Sequence, residues 1–225
     1  MTHVSDRLPG IDYQFKDPGL LRQALTHKSH SSRHNERLEF LGDAVLGFVI
    51  ADELFRCRPN DSEGSLSRLR SRVVRGETLA RVARSLHLGD HLLMGEGELK
   101  SGGYLRDSVL ADALEAVLGA ILLDGGYAQA ETAIRAVFRD VVDALPDAEA
   151  LKDPKTRLQE WLQAERRPLP RYELVREEGA EHAKQFHVTC LLDDEGYAAT
   201  AVGTSRRKAE QAAAEAVLKA RAQGI

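Results

Sequence analysis

The sequence predicts two domains of different class. An all-α domain spans residues 1–147, and a small α+β domain of order α-β-β-β-α spans 154–225, with a linker at 148–153 between them. Three observations carry this. Up to residue 143 the apolar residues recur at helical spacing, and no stretch alternates as a strand would. The stretch DALPDAEALKDP, 143–154, holds two prolines and several acids with little periodicity, as a linker does. Beyond it, KQFHVTCLL alternates Phe186, Val188, Cys190 and Leu192 with period two, the mark of a half-buried strand.

In the first domain, DPGLLRQALTH (17–27) opens on an Asp-Pro cap and continues as an amphipathic helix. Residues 35–55 read as a long helix with few polar residues after Asp43, hence a buried one. SEGSLSRLRSRVV and GETLARVARSLH give two shorter amphipathic helices, and the Gly-rich stretch 88–107 reads as a loop. SVLADALEAVLGAILLDGG (108–126) is a second buried helix, ended by a glycine pair, and YAQAETAIRAVFRDVVDAL closes the domain. In the second domain PKTRLQEWLQAE (154–165) is a short helix. RYELVREE, KQFHVTCLL and YAATAVG follow as strands, and TSRRKAEQAAAEAVLKARA is an Ala-rich helix. The two helices are expected to cover one face of the sheet.

Bulk properties exclude several classes. The composition of the 225 residues is that of an ordinary soluble globular protein. The opening MTHVSDRLPG has no apolar core of a signal peptide, and no apolar run is long and uncharged enough to span a bilayer, so no membrane partner is expected. Cys57 and Cys190 are far apart and lack metal-ligand spacing, which fits a reducing, cytoplasmic location without disulfides. Residues 1–148 hold 18 Lys/Arg and 22 Asp/Glu, while 149–225 hold 13 of each, so any case for nucleic-acid binding must rest on local patches.

Two such patches stand out. Glu36, Glu39 and Asp43 in NERLEFLGD sit at i, i+3 and i+7, within roughly 60° on one helix face. In 109–123 every residue except Asp112 and Glu115 is apolar or glycine, and those two are again i, i+3. The ordinary reading of helix acids is a solvated or ion-paired face, but 109–123 offers no base to pair with them. If the two stripes face each other, each pair of like charges about 4 Å apart repels by roughly 1–4 kcal/mol. A hard divalent cation relieves that repulsion, and Glu39, Asp43, Asp112 and Glu115 would balance two Mg²⁺. Such a pair suits phosphodiester hydrolysis. The pattern favours metal over a solvated surface and leaves the substrate open.

The second patch is the first turn of the last helix, where Arg206, Arg207 and Lys208 follow a Thr204 or Ser205 cap. Helix starts ordinarily attract acids, so three cations there make sense if an anion docks. A solvated charge run is the plain alternative. The polar face of 154–165 (Thr156, Gln159, Glu160) and the loop carrying His182 complete a surface able to span the phosphates and 2′-hydroxyls of an A-form duplex.

HNERLEFLGDAVL, LKSGG and ADALEAVLGAILLDGGY resemble bacterial ribonuclease III, and DPKTRLQEWLQ with GTSRRKAEQAAAEAVL resembles the double-stranded-RNA-binding domain that follows its nuclease domain. The resemblance runs from about residue 8 to 221 in the family's domain order. It implies an all-α endonuclease domain that uses Mg²⁺, with Mn²⁺ as a substitute ion, to cut double-stranded RNA to 5′-phosphate and 3′-hydroxyl ends with short 3′ overhangs. Glu39, Asp43, Asp112 and Glu115 match the family's metal-binding acids, Asp43 and Glu115 being those tied most closely to catalysis. Glu36 and Glu63 match secondary acids, and Phe40 matches an aromatic residue of a homodimer interface. Processing of ribosomal RNA precursors and of some messenger and transfer RNAs is implied as well. A duplex-binding regulator without chemistry is the rival, but it has no reason to keep Asp112 and Glu115 inside an apolar helix. A metal phosphohydrolase of small molecules leaves Arg206, Arg207 and Lys208 unexplained. The loop 95–103 either touches RNA or merely connects.

Overall fold

In the computed structural model, which describes residues 6–146, 152–180 and 183–222, the chain divides into two compact units, Met1–Ala148 and Glu149–Ile225. Of the predicted linker, 148–151 lie outside the described residues.

The first unit is helical. Its elements are α1 (Pro18–Ala24), α2 (Glu36–Cys57), α3 (Glu63–Val73), α4 (Gly76–Ser85), α5 (Glu96–Lys100), α6 (Asp107–Gly125) and α7 (Tyr127–Asp143). Local chemistry sets several boundaries. Asp17 caps α1 by accepting from the Gly19 amide, and Ser62 caps α3 by accepting from the Ser65 amide. Gly126, with φ 79°, closes α6 and redirects the chain into α7. The centre is α6: Leu110, Leu114, Val117, Leu118 and Ile121 are all essentially inaccessible, and α1, α2, α4 and α7 pack around it.

The packing of α2 on α6 positions everything that follows. A Cβ on Gly42 would overlap the Glu115 carbonyl oxygen, and one on Gly119 would overlap the Leu38 carbonyl oxygen. The two helices therefore cross backbone to backbone, with a glycine from each at the contact. Burial of Leu38, Val45, Leu46, Val49 and Ile50 on the same side of α2 holds the crossing together.

Two expectations need correction. The stretch 88–107 is not a plain loop: it contains α5 and single turns of 3₁₀ helix at Leu88–His91 and Gly103–Leu105, and Leu93 bridges Thr26. These pieces are too short to be stable by propensity and are set by tertiary contacts. Nor is α2 buried all round. Phe40, Phe48 and Phe55 are 81, 60 and 72% exposed. The helix has two apolar faces, and only one of them meets α6.

The second unit has α8 (Pro154–Ala164), then β1 (Arg171–Glu178), β2 (Gln185–Leu192) and β3 (Tyr197–Gly203), then α9 (Arg206–Ala222). The strands form an antiparallel sheet in the order β1-β2-β3, with a bulge between Leu174 and Arg176 in β1. The alternation in β2 puts Val188, Cys190 and Leu192 inside, where the latter two meet Leu158 and Leu162 of α8 and Ala213, Ala214 and Val217 of α9. The alanines let α9 lie close on β2 and β3, while α8 packs on α9.

Candidate metal centre and RNA-facing surface

The α2–α6 crossing brings three carboxylates together. One oxygen from each of Glu39, Asp112 and Glu115 lies within 4.8 Å of the others, and all three residues are half-buried. Asp43, on the next turn of α2, is exposed and stands outside this group. Its charge still reaches the cluster. Glu115 is pushed up to about 8, first by burial and then by Asp43, Glu39 and Asp112. Glu39 is raised by burial and by Asp112. Asp112 is raised by burial, with Lys28 opposing. Among the described residues, none of these four side chains has an ion pair or a hydrogen bond. Converging, half-buried and unpaired oxygens are the donor set that a hard divalent cation requires, so the residues present fit such an ion.

The cluster opens into a cleft of about 530 Å³, lined among others by His27, Lys28, Glu36, Glu39, Arg106 and Asp112. Glu36 pairs with Lys28 at 3.0 Å, which holds its carboxyl below the usual range. Glu63 is not brought to the acids within one chain. Its carboxylate accepts from the Ser67 hydroxyl (2.8 Å), and it lines a separate groove with Ala51, Leu54, Phe55 and Leu66. Phe40 projects into solvent.

In the second unit, Thr156, Gln159 and Glu160 share the exposed face of α8, opposite buried Leu158 and Leu162. Ser205 caps α9 by accepting from the Lys208 amide at 3.2 Å. Arg206, Arg207 and Lys208 are exposed, but they do not form a row of free cations. Arg206 pairs with Glu210 at 3.1 Å and Arg207 lies 4.0 Å from Asp153, while Lys208 pairs with no acid among the described residues. Lys155 reaches Glu210 at 2.6 Å, so the starts of α8 and α9 lie side by side. His182 lies outside the described residues.

Sequence reasoning missed four residues that shape the first site: Gly42 and Gly119 at the crossing, and Lys28 and Arg106 in the cleft. Isolated glycines inside two otherwise apolar helices were the available signal for the first pair. The second pair lies in segments without periodicity, where no sequence signal points inward.

Residues 17–141 match the family model described as Ribonuclease-III-like, and residues 154–220 match the double-stranded RNA binding motif. A ribonuclease 3 of Alkalilimnicola ehrlichii is 53% identical over 216 residues, 96% of this chain and 93% of that protein. One of Vibrio cholerae is 49% identical over 220 residues, 97% of this chain and 98% of that protein. Among solved structures, a nuclease domain of Campylobacter jejuni ribonuclease III, described for flexibility in a region involved in its dimer formation, is 50% identical with a TM-score of 0.55. It covers 56% of this chain and 90% of that one. With both modules matched in order, and relatives alike along nearly the whole length, the chain belongs to the ribonuclease III family of double-stranded-RNA endonucleases.

Proposed function

We propose that Glu39, Asp112 and Glu115, with Asp43 at their edge, hold Mg²⁺ beside the backbone of duplex RNA, and that Asp43 and Glu115 are the acids nearest the chemistry. The observation that carries this is the convergence of three unpaired carboxylates at a glycine-permitted helix crossing. Bound there, Mg²⁺ (or Mn²⁺ in its place) supplies an activated water and a Lewis acid for the leaving oxygen. The chain supplies the rest. Glu36 lines the cleft beside the acids, and the second domain grips the duplex. The products on this reading are 5′-phosphate and 3′-hydroxyl ends with short 3′ overhangs. The substrates are hairpin stems in ribosomal RNA precursors and in some messenger and transfer RNAs, met in the cytoplasm.

The same reading makes the active species a homodimer. Phe40 and the α2 residues Ala51, Leu54 and Phe55 of a groove completed by Leu66 of α3 lie on one side of α2, about 16–22 Å apart along its axis. A two-fold arrangement can seat each Phe40 in the other chain's groove, which also carries Glu63. The exposure of Phe40, Phe48 and Phe55 supports a covered face.

Metal removal tests the acid cluster. A carboxyl whose folded pKa of about 8 lies above its unfolded value near 4.5 stabilises the fold when protonated. That stability is fully present below about 4.5 and is lost as pH rises to about 8. In chelator, wild type therefore loses stability across this window, on the order of 1–3 kcal/mol after allowance for screening, read as a falling melting temperature. Glu115→Gln loses less, and Mg²⁺ restores wild type at pH 8. Parallel pH profiles of wild type and variant in chelator count against the cluster.

The duplex grip has its own test. Arg206→Ala combined with Lys208→Ala weakens binding to all duplex sequences alike and lowers the salt slope by about 1–2. A loss confined to one sequence would mean base readout instead.

A further inference from the structure

Two cations share the cleft with the acids, and the metal reading gives neither a role. Lys28 lies between α1 and α2, and Arg106 immediately precedes α6. Each is tethered to a rim acid. Lys28 Nζ donates to Glu36 at 3.0 Å, and Arg106 donates to Glu98 at 2.6 Å and to Ser101 Oγ at 2.9 Å. The side chains of Lys28 and Arg106 are still 64 and 50% exposed. Lys28 therefore keeps donors beyond the one engaged, and so does the five-donor guanidinium of Arg106. The ammonium of Lys28 is also close enough to Asp112 and Glu39 to feel both charges.

The charge balance of the cleft explains why cations are needed there. Glu36, Glu39, Glu98 and Asp112 line it, and they repel a polyanion as strongly as they attract a metal ion. Ions neutralise the inner acids but leave the rim acids facing the RNA strand. A cation bonded to each rim acid cancels that charge and presents N–H groups at a fixed place.

We propose that Lys28 and Arg106 are positioning residues that donate to non-bridging oxygens of the RNA phosphates next to the scissile one, so that the strand lies across the acid cluster. The proposal rests on the metal reading above, because it takes the cleft to be the place of cleavage. The tethers to Glu36 and Glu98 hold both side chains ready before RNA arrives. Arg106 also ties down α5 through Glu98, the residue of that helix that lines the cleft.

The test uses full-length protein and a long RNA duplex, comparing wild type with Lys28→Gln, Lys28→Arg, Arg106→Gln and the double variant Lys28→Gln/Glu36→Gln. Initial rates are taken over RNA concentration, Mg²⁺ concentration and salt. Lys28→Gln raises KM about tenfold and lowers kcat less, and it makes the salt slope of kcat/KM shallower by about 1. Lys28→Arg restores most of the loss, and the Mg²⁺ needed for half-maximal rate stays at the wild-type value. Adding Glu36→Gln rebalances the charge but does not return the salt slope. Arg106→Gln, checked by circular dichroism for an intact fold, behaves as Lys28→Gln does. Unchanged KM and slope overturn the proposal, as does a changed Mg²⁺ requirement with an unchanged slope. Either result leaves the metal reading standing. Duplex cleavage by wild type without any divalent ion would instead overturn the metal reading and this proposal together.

Discussion

Glu115→Gln lowers duplex cleavage by about 10³-fold or more while duplex binding persists. The side chain sits on the buried crossing with Glu39 and Asp112, and the amide replaces it almost without change of shape. What is lost is one negative charge and one strong oxygen donor at the centre of the cluster. An ion held by fewer carboxylates binds more weakly and is placed less well. On the proposed reading the duplex is gripped by the second domain, which the change does not touch. In chelator, where the Glu115 carboxyl stays protonated up to about pH 8, binding is unchanged at neutral pH and becomes slightly tighter only above pH 8. Gel-shift and cleavage assays on one duplex separate the two effects. Equal loss of binding and cleavage would argue that Glu115 supports the fold rather than a metal ion.

Gly42→Ala is the second large effect. Its methyl group would occupy the position of the Glu115 carbonyl oxygen, and backbone cannot swing aside as a side chain can. The helices must separate, which costs about 1–3 kcal/mol or more as overpacking. Separation also pulls Glu39 away from Asp112 and Glu115. Activity therefore falls further than stability alone explains, even at temperatures where the variant remains folded. Gly119→Ala, against the Leu38 carbonyl on the same crossing, behaves alike. Urea unfolding paired with cleavage rates checks both. A variant that retains wild-type stability and rate would refute the close crossing.

Much of this is legible in the amino-acid sequence. The acids at i, i+3 and i+7 on α2 and at i, i+3 on α6 follow from helix geometry, and that geometry also aims them at one side. The period change from α7 to β2 is strong because a strand buried on one face must alternate. What escapes depends on distance between elements. Periodicity puts Asp43 in the stripe with Glu39, yet it does not separate the half-buried acids from the exposed one. It counts the apolar residues of α2 but cannot tell that Phe40, Phe48 and Phe55 face away from α6. The cations of α9 look free in the sequence because Glu210 and Asp153 come to them through the fold. The short turns in 88–105 have too few residues for any period to show.

The central claim is that acids from two helices hold divalent cations beside RNA, and the most direct measurement is cation binding itself. Mn²⁺ is titrated into full-length protein with a non-cleavable duplex present, and free ion is followed by electron paramagnetic resonance. Wild type removes ion from solution, Mg²⁺ competes for the same site, and Glu39→Gln/Asp112→Asn weakens binding about tenfold or more. Identical titrations for wild type and the double variant would contradict the account.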